Sequence, residues 1–306
     1  MRARFEERIA VSDQPIEVST SSVEPTPVTE TKADKPKTDW FGEARGILWL
    51  ILAVLGFHSF IAKPFYIPSE SMMPTLITGD RLVVTKYPYG WSYVSPSFHV
   101  LPFIRGRVFG RLPERGDIVI LKPPQADTDF IKRVIGLPGD RIEVRGGTVV
   151  INGVPVKRTP EAPAMIAIDP NVPCDQPQVA QFRVSGPDGK AYCAIPRFRE
   201  TLPNGRSYDT LDLGYFPDID DFPAITIPED RVFVMGDNRD QSADSRVPSY
   251  RNGLDGPVPF ENIGGRAEFI TFSLDGTSKI WNPISWVTAL RGGRAGTSLH
   301  PARAAK

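Results

Sequence analysis

Ser69 and Ser71 lie in the proline-bounded segment Ile67-Pro68-Ser69-Glu70-Ser71-Met72-Met73-Pro74-Thr75-Leu76. A hydroxyl in such a turn can serve as a nucleophile once a base takes its proton. Serines are also common turn residues with no chemical task. The choice of base is narrow. There are 3 histidines: His58 in an apolar run, His99 in an aromatic stretch and His300 in a polar one. None lies in a motif, so a Ser-His-Asp triad has poor candidates. The chain has no His-Glu-x-x-His zinc motif and no phosphate-binding P-loop. Lysine remains. An ordinary lysine, with a pKa of ~10.4, is protonated at neutral pH. Burial disfavours the charged form and lowers that value. Lys132, in Phe130-Ile-Lys-Arg-Val-Ile-Gly-Leu-Pro-Gly-Asp140, is placed for this, since in a strand Phe130, Lys132 and Val134 share a face. The competing reading is a strand cation paired with a carboxylate. A third segment, Gly236-Asp-Asn-Arg-Asp-Gln-Ser242-Ala-Asp244-Ser-Arg246, adds a hydroxyl, an acid and an arginine.

The elements that must position these groups are mostly strands. Pro, at 31 residues, is about twice its usual share and favours short strands and constrained turns. Strands are expected at Arg81–Lys86, Asp117–Lys122, Phe130–Ile135, Asp140–Val144, Arg231–Met235 and Ala267–Phe272. Asn152-Gly153 between Thr148–Ile151 and Val154–Val156 signals a hairpin. The expected fold is mostly β: one β domain (64–144 and 231–277) carrying an inserted second β subdomain (145–230); the family resemblance described below implies that the first is an antiparallel catalytic sheet. A tail at 278–306 has no legible structure.

Ahead of these strands, residues 46–62 (GILWLILAVLGFHSFIA) are uncharged and bracketed by Arg45 and Lys63. As a helix the run spans about 26 Å, near the lower limit for crossing a bilayer. A buried helix and a cleaved leader are the alternatives. The long polar lead and Phe60, which would be the −3 residue of a cut after Ala62, count against a leader. One transmembrane helix is therefore expected over 46–63. Lys32, Lys35, Lys37 and Arg45 on one side against Lys63 on the other place 1–45 in the cytoplasm and the rest outside. Residues 11–38, rich in Ser, Thr, Pro, Glu and Lys, read as a disordered tether. The segment 87–109, aromatic and without acids, is either inserted in the membrane interface or covered by the protein. Zero net charge gives no electrostatic case for a nucleic-acid partner. Cys174 and Cys193, if exported, can pair; two free thiols are the other possibility.

The three segments, in this order, resemble the bacterial type I signal peptidases (leader peptidases), from about Phe65 to Ala267. The resemblance implies that Ser71 is the acylated nucleophile and Lys132 its base. It also implies that Ser69, with the Ser71 amide, forms the oxyanion hole. Ser242 would orient the lysine amine, and Asp244 and Arg246 would hold their loop as an ion pair. Positions matching the family's substrate pocket are Phe65, Ile67, Pro68, Leu76, Leu82, Ile120, Phe130 and Ile131. Glu70 departs from the family's pattern, which has glycine between the two serines. No cofactor or metal is implied. The partners implied are signal peptides of exported preproteins, the lipid bilayer and the secretion machinery. The setting is the bacterial cytoplasmic (inner) membrane, with the catalytic domain on its periplasmic face. Other readings are a Ser-Lys peptidase specialised for a conjugation or pilus protein, and a β-rich exported binding module without catalysis. A self-cleaving repressor is disfavoured by the apolar run and the lack of a basic DNA-reading helix.

Overall fold

The computed structural model describes residues 40–95 and 106–303. The tether reading of 11–38 and the centre of the aromatic segment, 96–105, lie outside the described residues. In chain order the helices are α1 (Trp40–Phe60), α2 (Pro217–Asp220) and α3 (Pro283–Thr288). The first strands are β1 (Ala62–Tyr66), β2 (Asp80–Thr85), β3 (Ile118–Leu121) and β4 (Phe130–Gly136). They are followed by β5 (Arg141–Arg145), β6 (Thr148–Ile151), β7 (Val154–Pro155) and β8 (Lys157–Ala167). Next come β9 (Arg183–Ser185), β10 (Ala191–Thr201), β11 (Arg206–Leu211) and β12 (Phe222–Thr226). The last are β13 (Arg231–Met235), β14 (Val258–Pro259), β15 (Ile263–Ser273) and β16 (Ala302–Arg303).

α1 is long and apolar enough to cross a membrane, and most of its residues are exposed, with Ser59 buried near its end. Its boundaries differ from the expected 46–63. It starts at Trp40: Trp40 to Arg45 contains no proline, and the single weak helix former there, Gly42, is tolerated beside Glu43 in the first turn. It stops at Phe60 because the next residues are claimed by pairing: Ala62 lies opposite Thr85 and Lys63 opposite Val84 in an antiparallel ladder.

A 7-stranded sheet, ordered β1-β2-β15-β3-β4-β13-β14, carries the three chemical segments. All its pairings are antiparallel. Ile67, Met72, Leu76, Leu82, Ile120, Ile131 and Ile270 form one of its cores. The residues that flank Ser71 in the turn are thus buried apolar anchors, and the turn between β1 and β2 cannot drift. A 4-stranded sheet, β12-β5-β6-β7, holds the Asn152-Gly153 hairpin. Asn152 and Gly153 both take positive φ, 52° and 80°, the conformation that makes Asn-Gly the preferred pair there.

A 5-stranded sheet contains β8 to β11 and β16. Residues 145–230 therefore divide between two sheets, and both belong to the same compact unit as the catalytic strands. Cys174 and Cys193 form a disulfide inside an apolar cluster with Met73, Ile77, Ile195 and Leu211. A crosslink of this span stabilises by roughly 3 kcal/mol in the chain-entropy description. Through Met73 and Ile77 the cluster packs the inserted sheet directly against the serine turn.

The segment 278–306, illegible in the sequence, is structured over most of its length. β16 pairs with β11, and Leu299 joins the core of Ile67 and Met72. Arg291 binds Asp169 at 2.7 Å, and Arg294 Nε donates to Asp80 at 2.8 Å. Of the aromatic segment, Tyr89 is buried and donates to Asp117 at 2.7 Å, and Trp91 Nε1 donates to the Phe60 carbonyl at 2.8 Å. Tyr87, Val108 and Phe109 are exposed. The segment thus starts beside the end of α1, with part covered and part open.

Candidate active site

Ser71 and Lys132 are 61 positions apart in the chain, and the sheet brings them together. Ser71 is 7% exposed and Lys132 4%. Nζ of Lys132 lies 2.9 Å from the Ser71 Oγ and donates to the Ile131 carbonyl at 3.0 Å. It stands 5.3 Å from the centre of the Phe130 ring. β3 places Val119 opposite Lys132 and Leu121 opposite Phe130, so the amine sits on an apolar strand face.

Burial pushes the Lys132 pKa down to about 8, against the opposing pull of the Asp244 and Asp237 carboxylates. The Arg246 guanidinium adds to the depression. At that value about one lysine in ten is neutral at pH 7, against a few in ten thousand at the ordinary value. The strand-cation alternative is not what the structure contains: no carboxylate forms an ion pair with Lys132 among the described residues.

Ser69 Oγ lies 3.4 Å from Ser71 Oγ, at the exposed side of the turn. The Ser71 carbonyl accepts the Asn238 N–H at 3.1 Å, and the Glu70 carbonyl accepts from Asn238 Nδ2 at 3.1 Å. The loop after β13 is therefore stitched to the serine turn. Asp244 and Arg246 form a buried ion pair at 2.9 Å. Asp244 Oδ2 also accepts the Gly236 N–H at 3.0 Å; burial pushes its carboxyl up, but the Arg246 guanidinium and these hydrogen bonds outweigh that and hold it below the usual range. Ser242 Oγ is buried and has no hydrogen-bond partner among the described residues.

A cleft of about 380 Å³ opens over the pair. Of the eight pocket positions, Pro68, Phe130 and Ile131 line it. Ile67, Leu76, Leu82 and Ile120 are closed into the core beneath, and Phe65 packs half-buried against the same core.

Several site residues carry no legible role in the sequence. Arg133, next to the lysine, clamps Asp237 with two bonds of 2.7 and 2.6 Å. Arg239 clamps Glu200 of β10 with two bonds of 2.6 Å, and Tyr208 donates to the same carboxylate at 2.9 Å. Leu211 of β11 donates to the Asp237 carbonyl at 2.9 Å and accepts from Arg239 at 3.0 Å. Fully desolvated, fork-shaped pairs of this kind fix geometry more than they stabilise. They lock the loop of Asp237 to Arg239 onto the inserted sheet. The arginines and acids of the motifs were visible, but Glu200 has no signal beyond its place in a strand.

An antiparallel β framework that holds a serine hydroxyl against a depressed-pKa amine, under an open cleft, defines a serine hydrolase. Residues 40–272 match the family described as signal peptidase, peptidase S26. The chain is 37% identical over 254 residues to a signal peptidase I of Rickettsia akari, covering 79% of this chain and 83% of that protein. It is 38% identical over 233 residues to a signal peptidase I of Rickettsia prowazekii, covering 74% and 77%. A solved signal peptidase I from Enterococcus faecalis is 24% identical, covering 51% of this chain and 97% of that one, with a TM-score of 0.27, too loose a superposition to add to the assignment. The chain belongs to the signal peptidase S26 family and is a serine peptidase.

Proposed function

We propose that this serine peptidase removes N-terminal signal peptides from exported preproteins by a Ser71–Lys132 dyad. The observation that carries the reading is the 2.9 Å contact between Nζ and Oγ in a site that lowers the amine pKa to about 8. Neutral Lys132 takes the Ser71 proton as Oγ attacks the carbonyl of the scissile bond. The developing oxyanion is met by the Ser69 hydroxyl and the Ser71 N–H. Protonated Lys132 then gives its proton to the leaving amine, and the C–N bond breaks to release the mature protein. The signal peptide remains as an ester on Ser71. A water that loses its proton to Lys132 attacks this ester, and the serine is restored. Every proton in the cycle is carried by the lysine.

The substrate binds extended, adding a strand beside the serine turn and β4. Pro68, Phe130 and Ile131 give a shallow apolar surface that suits small residues at the −3 and −1 positions. Ser242 turns its hydroxyl to the lysine amine during the reaction. α1 anchors the enzyme in the bacterial inner membrane, with residues 1–45 in the cytoplasm and the catalytic body on the periplasmic face. Signal peptides delivered by the secretion machinery leave the bilayer where β1 follows α1. Cleavage of a preprotein with an Ala-x-Ala junction, by wild type, Ser71→Ala and Lys132→Ala in detergent, tests the reading. Cutting at that junction by wild type alone supports it. Undiminished cutting by Ser71→Ala, with contamination excluded, overturns it.

A further inference from the structure

Glu70 occupies the position between the two serines. Its carboxylate is half-buried and accepts from Gln176 Nε2 at 3.3 Å. Gln176 Oε1 accepts from Gln241 Nε2 at 3.0 Å, and Gln241 Oε1 accepts from Asn238 Nδ2 at 3.0 Å. Asn238 closes the ring on the Glu70 main chain. Gln176 comes two residues after Cys174, so the disulfide fixes this part of the ring. Burial and the neighbouring Asp175 carboxylate both push the Glu70 carboxyl up. No cation acts on Glu70 among the described residues.

The cleft therefore has two unlike ends. Pro68, Phe130 and Ile131 make one apolar apart from the exposed Asp129 beside Phe130, and Gln241 leads from the other to Gln176, Glu70 and Asp175. If small residues before the scissile bond fill the apolar end, the chain that follows the bond leaves across the polar rim. We infer that this rim reads the first residues of the mature protein, and that Glu70 with Asp175 favours basic over acidic residues there. The inference rests on the signal-peptide-cleaving reading above. An uncompensated carboxylate beside the nucleophile attracts a substrate cation and repels a substrate carboxylate, and the repulsion rejects unsuitable chains as much as the attraction selects suitable ones.

The test uses the full-length enzyme in detergent and three preproteins with one Ala-x-Ala junction. They differ only in carrying Lys, Ala or Glu at the two positions after the cut. Wild type is expected to cleave the Lys substrate with a kcat/KM about tenfold above the Glu substrate. The ratio shrinks with added salt. It falls towards one in Glu70→Gln and part of the way in Asp175→Asn. Asp175 is exposed, so its variant reads the same effect if Glu70→Gln disturbs the turn. Equal wild-type rates, or a ratio that survives both substitutions, overturns the inference and leaves the cleavage reading intact. Failure of wild type to cut any of the three overturns the cleavage reading, and the inference falls with it.

Discussion

Gly236 leaves no room for a side chain between Ser71 and Ser242. A Cβ built there lies 2.2 Å from the Ser242 Oγ and 2.4 Å from the Ser71 carbonyl oxygen. The second of these is backbone and cannot swing away. Gly236→Ala must push the serine turn and the Ser242 loop apart. An ångström of misplacement at a reacting atom can cost about 10²-fold. The variant is expected to lose at least that in kcat/KM while keeping the wild-type circular dichroism spectrum.

With Lys132 as the proposed base, its depressed pKa sets the acid side of the expected pH profile. Only neutral Lys132 can accept the Ser71 proton, and its pKa is about 8. Below that value the neutral fraction falls about tenfold per pH unit, and kcat/KM should fall with it. A profile flat from pH 6 to pH 9 would rule out Lys132 as the base.

The same burial has a cost in stability, with a definite sign. The folded pKa lies below the ordinary ~10.4, so the unfolded chain binds more protons between about 8 and 10. Stability therefore rises with pH through that window, and the full penalty, about 3 kcal/mol, applies below it. Lys132→Met removes the penalty. The variant should be inactive yet more resistant to urea than wild type at pH 7, with the difference vanishing above pH ~10.

Ser242 separates support of catalysis from support of the fold. Its buried hydroxyl has no partner among the described residues, so deleting it removes no hydrogen bond from the resting protein. Ser242→Ala should keep or raise the melting temperature, because an unsatisfied buried polar atom is lost. If the hydroxyl meets the amine during reaction, kcat should fall about 10-fold or more with little change in KM. Unchanged kcat would remove Ser242 from the mechanism.

Much of this was legible in the sequence, for reasons that differ by residue. Lys132 stood out because alternation in a strand put Phe130 and Val134 on its face, and the pair with Ser71 is what the fold makes of that face. The hairpin at Asn152-Gly153 was legible because two successive positive φ angles leave few alternatives. The pocket positions were less so. Ile67, Leu76, Leu82 and Ile120 lie in the core below the cleft, while Pro68, Phe130 and Ile131 border it. One-letter chemistry cannot separate an apolar floor from an apolar wall. Glu200 was hidden because its partner Arg239 is 39 positions away, on another sheet's loop. Residues 278–306 looked featureless because their contacts are single long-range ones: Leu299 in a core, Arg291 on Asp169, Arg294 on Asp80. No periodicity announces such contacts.

The hold of Arg294 on the serine turn, through Asp80 and the Thr75 carbonyl at 3.0 Å, carries a consequence for how the enzyme comes into being. Leu299 is a wall of the core that seats Met72, and β16 is the edge that completes the inserted sheet. A chain in which residues 294–303 have not yet folded lacks these pieces. Its serine turn exists, but the surface against which that turn is braced does not. The nucleophile is braced only once residues 294–303 have docked, so the folding of that stretch and the assembly of the site are one event.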